Sequence, residues 1–330
     1  MIVMTKLWMH RGRRICAKVL WRGAAACAVF IAVIPSATVP SFADACSSRI
    51  DAFNRAVDTA PDQAAQAQVE AIVSDPNCSG YVIPAQRRLA ASRLAAAQKL
   101  MAQNAPLDDY LTLIIEADRP AVLWQAAATL AEIRFGQRQF VEAAHGFDRA
   151  IDVVDNDTLT PHDPGRAAIE GLLQRAAAAR LLAANAGTGK EGFVVTATRG
   201  GRLGGIFAPR VRGVVPRAVP VPITFEYRSA ALTEQGRQAA MELARAIKEQ
   251  QPGNVRLVGH TDVRGGPQYN KKLSVARAEA VAAFLKDNEV EVPVEPEGVG
   301  ADEPLQLADT HALTQEDIYA LNRRVEWRRE

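Results

Sequence analysis

The chain has 330 residues, with 39 Lys+Arg against 37 Asp+Glu and a formal net charge of +2. Six of the cations (Lys6, Arg11, Arg13, Arg14, Lys18 and Arg22) and none of the acids fall in the first 43 residues, so the remainder holds 33 basic and 37 acidic side chains, a net of −4. A chain of that sign has no global electrostatic pull toward nucleic acid, which is not expected as a partner.

The cationic start runs into an apolar stretch over 24–34, shorter than the roughly 20 residues a membrane-spanning helix needs. Small residues follow at Ser41-Phe42-Ala43 and Ala43-Asp44-Ala45. The pattern predicts a signal peptide over 1–43 and general secretion, the alternative being an uncleaved anchor. Cys16-Ala17 after Arg13-Arg14 lacks the bulky apolar pair of a twin-arginine signal, and Asp44 weakens a lipoprotein site ending at Cys46. Beyond the signal two cysteines remain, Cys46 and Cys78. In an oxidising compartment such a pair reads as a disulfide, the alternative being two buried thiols. The five histidines are scattered singly, so neither a metal nor another cofactor is expected.

The region 44–184 is alanine-rich with helical periodicity, punctuated by Pro61, Pro76, Pro84, Pro106, Pro120 and Pro161. Leu130, Ile133, Phe140, Ala143, Phe147 and Ala150 predict two antiparallel helices broken near Gly136-Gln137-Arg138. Ala143 and Ala150 would let a neighbouring helix approach, while Phe140 and Phe147 fill the gaps. This spacing resembles the second half of a tetratricopeptide repeat, with degenerate copies around 84–116 and 164–184. Arg134 and Ala131 stand where that repeat usually has tyrosine and glycine. The resemblance implies a helical-hairpin array that would hold a protein partner; an ordinary helical domain is the alternative. An outer-membrane barrel is not expected, because the region lacks repeated ten-residue alternating strands.

Between 185 and 220 glycines alternate with arginines and Glu191 is the only acid, which predicts a linker. Gly189-Lys190 lacks the upstream glycine and the following Ser or Thr of a phosphate loop. From 221 to 330 strands and helices alternate. Ile223, Phe225 and Tyr227 predict a strand, and Leu232, Gly236, Ala239, Leu243 and Ile247 a helix face. Val255, Leu257 and Gly259 predict a second strand, and Leu273, Ala276, Ala280, Phe284 and Leu285 a second helix. Further strands are predicted near 292–299 and 323–327. The order implies helices against a mixed sheet.

The stretch Gly259-His260-Thr261-Asp262-Val263-Arg264-Gly265-Gly266 is a strand end, a glycine-rich turn and a helix start. His260 and Asp262 point to one side of a strand and could form a dyad, but no serine or cysteine is presented to them as a nucleophile. Arg277 follows fifteen residues after Asp262, on the helix. A carboxylate and a guanidinium held near one another suit a zwitterion, the first taking an ammonium and the second gripping a carboxylate with two prongs. A surface salt bridge between the two is the alternative.

Gly-His-Thr-Asp, Tyr269-Asn270, Leu273-Ser274, Arg277-Ala278, Gly298-Val299-Gly300 and Asn322-Arg323-Arg324 follow one another in an order that resembles the OmpA-like peptidoglycan-binding domain. The resemblance covers 221–330. It implies an α/β sandwich with a mixed four-stranded sheet, in which Asp262 and Arg277 grip the free amino-acid end of diaminopimelate in the wall's stem peptide. Asn270 matches the family's pocket asparagine, Arg323 or Arg324 its C-terminal arginine, and Thr261 and Leu273 its pocket-shaping positions. Phe225-Glu226-Tyr227-Arg228-Ser229 departs from the family's Phe-Asp-Phe-Asp-Ser, which puts any contact from that strand in doubt.

The expectation is thus an α+β protein: signal peptide 1–43, helical tetratricopeptide-like region 44–184, Gly/Arg-rich linker 185–220 and OmpA-like domain 221–330. It would act without enzymatic activity in the periplasm, or at the outer membrane, of a Gram-negative cell, holding peptidoglycan with one part and a protein with the other. The alternatives are a scaffold without wall binding and a wall-modifying enzyme.

Overall fold

The structure, a computed structural model, describes residues 42–59, 63–186, 210–307 and 313–329. The expected signal peptide lies outside them except for its last two residues, and so does the greater part of the expected linker, 187–209.

Alanine is the strongest helix former, so the breaks in the helical part are set by prolines and turn residues. Helix α1 (Phe42–Thr59) packs on α2 (Gln63–Val73), and a 3-10 turn (Pro76–Tyr81) opens with Pro76 where no backbone N–H is needed. Helix α3 (Val82–Ala102) packs on α4 (Leu107–Asp118), and α5 (Trp124–Gly136) on α6 (Phe140–Asp155), which in turn contacts α7 (Arg166–Asn185). The break between α5 and α6 falls where Gly136-Gln137-Arg138 predicts it, with Arg138 in the left-handed region at φ +63°. α5 and α6 approach closely at Ala131 and Gly146, where a Cβ added to the glycine would come within 2.8 Å of the alanine Cβ. Within 164–184 the chain forms a single helix, α7, rather than a hairpin. Cys46 on α1 and Cys78 in the 3-10 turn are joined by the expected disulfide, their Cα atoms 5.5 Å apart. The bridge is buried with Phe53, Val69, Ile72 and Leu89.

Four strands make the mixed sheet that the sequence predicts: β1 (Ala218–Val221), β2 (Val255–His260), β3 (Val294–Gly300) and β4 (Val325–Arg328), in spatial order β1-β4-β2-β3. β4 runs antiparallel to both neighbours, and β2 and β3 are parallel. β1 begins inside the expected linker and carries Pro220, which an edge strand tolerates because one side of it needs no ladder bonds. The strand expected at Ile223, Phe225 and Tyr227 is instead a single bridge, Phe225 to Leu232, followed by a turn. The Ser229 N–H donates to the Glu226 carbonyl and Arg228 takes φ +53°, so the chain reverses before a strand can extend. Helices α8 (Glu234–Gln250), α9 (Pro267–Asp287) and α10 (Gln315–Asn322) complete the fold.

α9 lies close on β2 and β3 for a reason visible in the sequence. A Cβ at Gly259 would come within 2.2 Å of the Ser274 carbonyl oxygen, and one at Gly298 within 2.2 Å of the Val275 nitrogen. α7 packs on β1 and α10, and one continuous buried cluster joins Phe147, Ile169 and Leu181 to Val219, Leu257 and Trp327. Among the described residues no helix is long and apolar enough to cross a membrane.

Candidate functional site

β2 delivers the chain to the site. It is buried along its length except for Arg256, and its register against β3 shifts at Gly259/His260. Thr261 and Asp262 follow, both buried. The Asp262 carboxylate folds the turn after it: Oδ1 accepts the Arg264 N–H at 3.0 Å, the local bond by which aspartates initiate turns. Gly265, at φ +98°, then leads into α9, which opens with Pro267. Asn270, one turn into α9, donates its amide to the Asp262 carbonyl at 3.2 Å and ties helix start to strand end.

Arg277 comes two turns later. The glycines beneath α9 fix the helix, and the Ser274 hydroxyl accepts the Gly300 N–H at 2.9 Å, locking it to β3. Arg277 is 7 % exposed. Its Nε donates to the Ser229 carbonyl at 3.1 Å, and its guanidinium lies 4.9 Å from the centre of the Phe225 ring. Its two terminal nitrogens have no protein partner among the described residues. Burial, with Arg323 adding to it, lowers its pKa from the usual arginine value.

Asp262 and Arg277 do not bridge each other. The Asp262 carboxylate instead takes Arg264 Nη2 at 2.7 Å and Arg323 Nη1 at 2.9 Å, both on Oδ2. Burial alone would raise this carboxyl, but the hydrogen bonds from Arg264 and Arg323 outweigh it and hold it below the ordinary value. Oδ1 keeps an acceptor position beyond the one given to the Arg264 N–H. Glu316, at the start of α10, braces both arginines at 3.2 Å.

Asp262, Arg277, Asn270, Thr261, Leu273 and Arg323 all line one cleft of about 720 Å³. The buried Thr261 hydroxyl has no hydrogen-bond partner among the described residues. Arg324 does not reach the cleft: its Nε donates to Glu326 at 2.8 Å and its Nη2 to the Glu303 carbonyl at 3.1 Å. His260 is also elsewhere, buried with its Nε2 3.4 Å from Glu326, so no dyad with Asp262 assembles. The described residues hold no cluster of His, Cys, Asp and Glu able to bind a metal.

Sequence reasoning assigned no role to Arg264, Glu316 or Tyr269, all of which line the cleft. Arg264 could have been found, since it stands two residues after an aspartate, the spacing of a side-chain-closed turn. Glu316 had no local signal, because a different helix brings it in. The departing segment 225–229 does reach the site: Phe225, Tyr227 and Arg228 form one wall of the cleft, and Arg228 lies 5.8 Å from the Tyr269 ring centre.

The OmpA family pattern matches residues 224–316. The chain is 32 % identical over 109 residues to "Probable lipoprotein YiaD" of Escherichia coli, covering 33 % of this chain and 48 % of that protein. It is 37 % identical over 95 residues to "Outer-membrane lipoprotein YfiB" of Pseudomonas aeruginosa, covering 28 % and 54 %. The chain thus spans about half the length of these curated relatives. Among solved structures it is similar to the OmpA-like domain of FopA1 from Francisella tularensis, at 26 % identity and TM-score 0.27 over 33 % of this chain and 69 % of that one. The C-terminal third is an OmpA-family domain, joined to a helical N-terminal part.

Proposed function

We propose that the protein is an exported envelope protein that holds peptidoglycan without cleaving it, by the zwitterionic end of a diaminopimelate stem peptide. The observation that carries this reading is Arg277: a buried guanidinium whose two terminal nitrogens have no partner among the described residues, in the same cleft as a buried carboxylate that keeps an acceptor position. A ligand carboxylate satisfies the Arg277 fork, and the ligand ammonium takes Asp262 Oδ1. Asn270 holds the turn that presents Asp262, Arg323 shields the carboxylate's other oxygen, and Thr261 and Leu273 help line the cleft. The names of curated relatives, two of them lipoproteins and two "Outer membrane protein A", support placement in the envelope. The same seat, in the periplasm or at the outer membrane, suits the disulfide.

The helical part, with its tetratricopeptide-like α5–α6 hairpin, is proposed to hold a protein partner. No metal or other cofactor enters this reading. Titration with a diaminopimelate-containing stem peptide, together with a sacculus pull-down and assay for released fragments, tests it. Saturable binding with no released fragments is expected. A folded chain that binds neither sacculi nor stem peptide would leave a scaffold without wall binding, and released fragments would make it an enzyme.

A further inference from the structure

The cleft has a wall that does not belong to the OmpA-family domain. Asn185, the last residue of α7, lines it together with Asp262 and Arg277. The exposed Asn185 side chain donates its amide to the Leu181 carbonyl at 2.8 Å, while its Oδ1 has no partner among the described residues. The helix end around it carries the partial negative charge of unpaired carbonyls, which suits an ammonium or an N–H donor.

A second contact between the helical part and the domain holds that wall in place. Arg138, in the turn between α5 and α6, donates both terminal nitrogens to Asp317 on α10, at 2.6 and 2.8 Å. Its guanidinium also lies 5.2 Å from the centre of the Phe140 ring. Asp317 is buried and caps α10 as well, accepting from Thr314 N–H at 2.8 Å and from its hydroxyl at 2.7 Å. The preceding residue, Glu316, braces Arg264 and Arg323 around Asp262. One clasp therefore seats α10 against the helical part while α7, packed on α10, brings its end to the cleft.

We infer that the cleft is a composite site, in which Asn185 of the helical part accepts a hydrogen bond from a donor of the stem peptide and Arg138 acts as its positioning residue through Asp317. This rests on the reading of the cleft as a stem-peptide site. The ligand group is an ammonium or amide N–H, because the free atom at Asn185 is an acceptor.

The test is calorimetric titration of the full exported chain with a diaminopimelate-containing stem peptide, with circular dichroism to establish that each variant is folded. Asn185→Ala is expected to weaken binding about three- to ten-fold for an amide N–H donor, the range for one neutral hydrogen bond, and more than about ten-fold for an ammonium. Arg138→Ala should weaken it comparably and Arg138→Lys should recover part of the loss. The double variant should be no weaker than the poorer single variant, since the two residues would act on one contact. If folded Asn185→Ala and Arg138→Ala proteins bind like the parent while Asp262→Asn has lost binding, the composite site is overturned and the stem-peptide reading stands. Losses that simply add in the double variant overturn the positioning role. A parent chain that does not bind the peptide fails the underlying reading, and this inference with it.

Discussion

Arg277 is held by one acceptor, the Ser229 carbonyl, and among the described residues the rest of its fork is free, which is an unusual state for a buried guanidinium. Arg277→Lys keeps a positive charge but cannot offer two parallel N–H groups, so stem-peptide affinity should fall. Asp262→Asn should lower it too, removing the counter-charge of the ammonium. Losing a partner from a desolvated charge pair costs about 2–5 kcal/mol, so Asp262→Asn should bind more than tenfold more weakly in titration, and Arg277→Lys, which keeps its charge, should lose less. His260→Ala is the contrast. His260 lies beside Glu326, away from the cleft, so affinity should stay within about twofold while thermal or urea unfolding shows a loss of roughly 1–3 kcal/mol. An equal loss of binding in His260→Ala would return the histidine to the site. Asp262 and Arg277 were legible because a carboxylate on a strand end and an arginine on the following helix are local motifs. Choosing Arg323 over Arg324 was not possible from sequence. That choice depends on which of two adjacent side chains turns toward Glu326 on β4.

The geometry of α9 decides whether those residues meet. Gly259 and Gly298 are the places where strand backbone touches helix backbone, and a methyl group at Gly298 would also lie 2.4 Å from the Ser274 hydroxyl oxygen. Neither helix backbone nor a buried serine can withdraw cheaply, so Gly298→Ala should cost at least about 1–3 kcal/mol, the range for overpacking a close-packed core. Urea unfolding measures it, and an unchanged midpoint would mean α9 sits farther from the sheet. The α8–β2–α9–β3 succession was readable from periodicity because apolar residues recur every three to four positions and then every second. The first strand was not. Ile223-Thr224-Phe225-Glu226-Tyr227 alternates as a strand does, yet Tyr227 is 90 % exposed, because the turn at Arg228 ends the pairing. The true edge strand was hidden by Pro220 and by the glycine-rich segment before it. Its pairing with β4 is set by residues about a hundred positions away, which no local window contains.

At the scale of the whole molecule the helical part and the sheet share a core, and the Arg138–Asp317 clasp crosses between them. Composition suggested a linker between 185 and 220, because glycine and arginine density reports on the connecting chain and not on what packs beside it. The clasp makes the joint sensitive to acid. The hydrogen bonds from Arg138 depress the Asp317 carboxyl to about 2, with Thr314 adding to the effect against burial. A carboxyl depressed in the folded state contributes stability that is fully present above its unfolded value near 4 and is lost as pH falls toward the folded value. The window is therefore pH 4 down to about 2. Because Arg138 is half-exposed, solvent screens the pair, and the contribution is on the order of 1–2 kcal/mol. Glu326, also held at about 2 by His260 and Arg324 against its burial, loses stability in the same window, so the parent's acid limb alone does not isolate the clasp. Arg138→Ala does. Urea unfolding at pH 6, 4 and 3 should find the variant less stable than the parent at pH 6 by that amount, with the gap narrowing as pH falls below 4. A gap that stays constant from pH 6 to 3 would mean that Arg138 contributes packing on Phe140 rather than charge, and the clasp would not be an electrostatic joint.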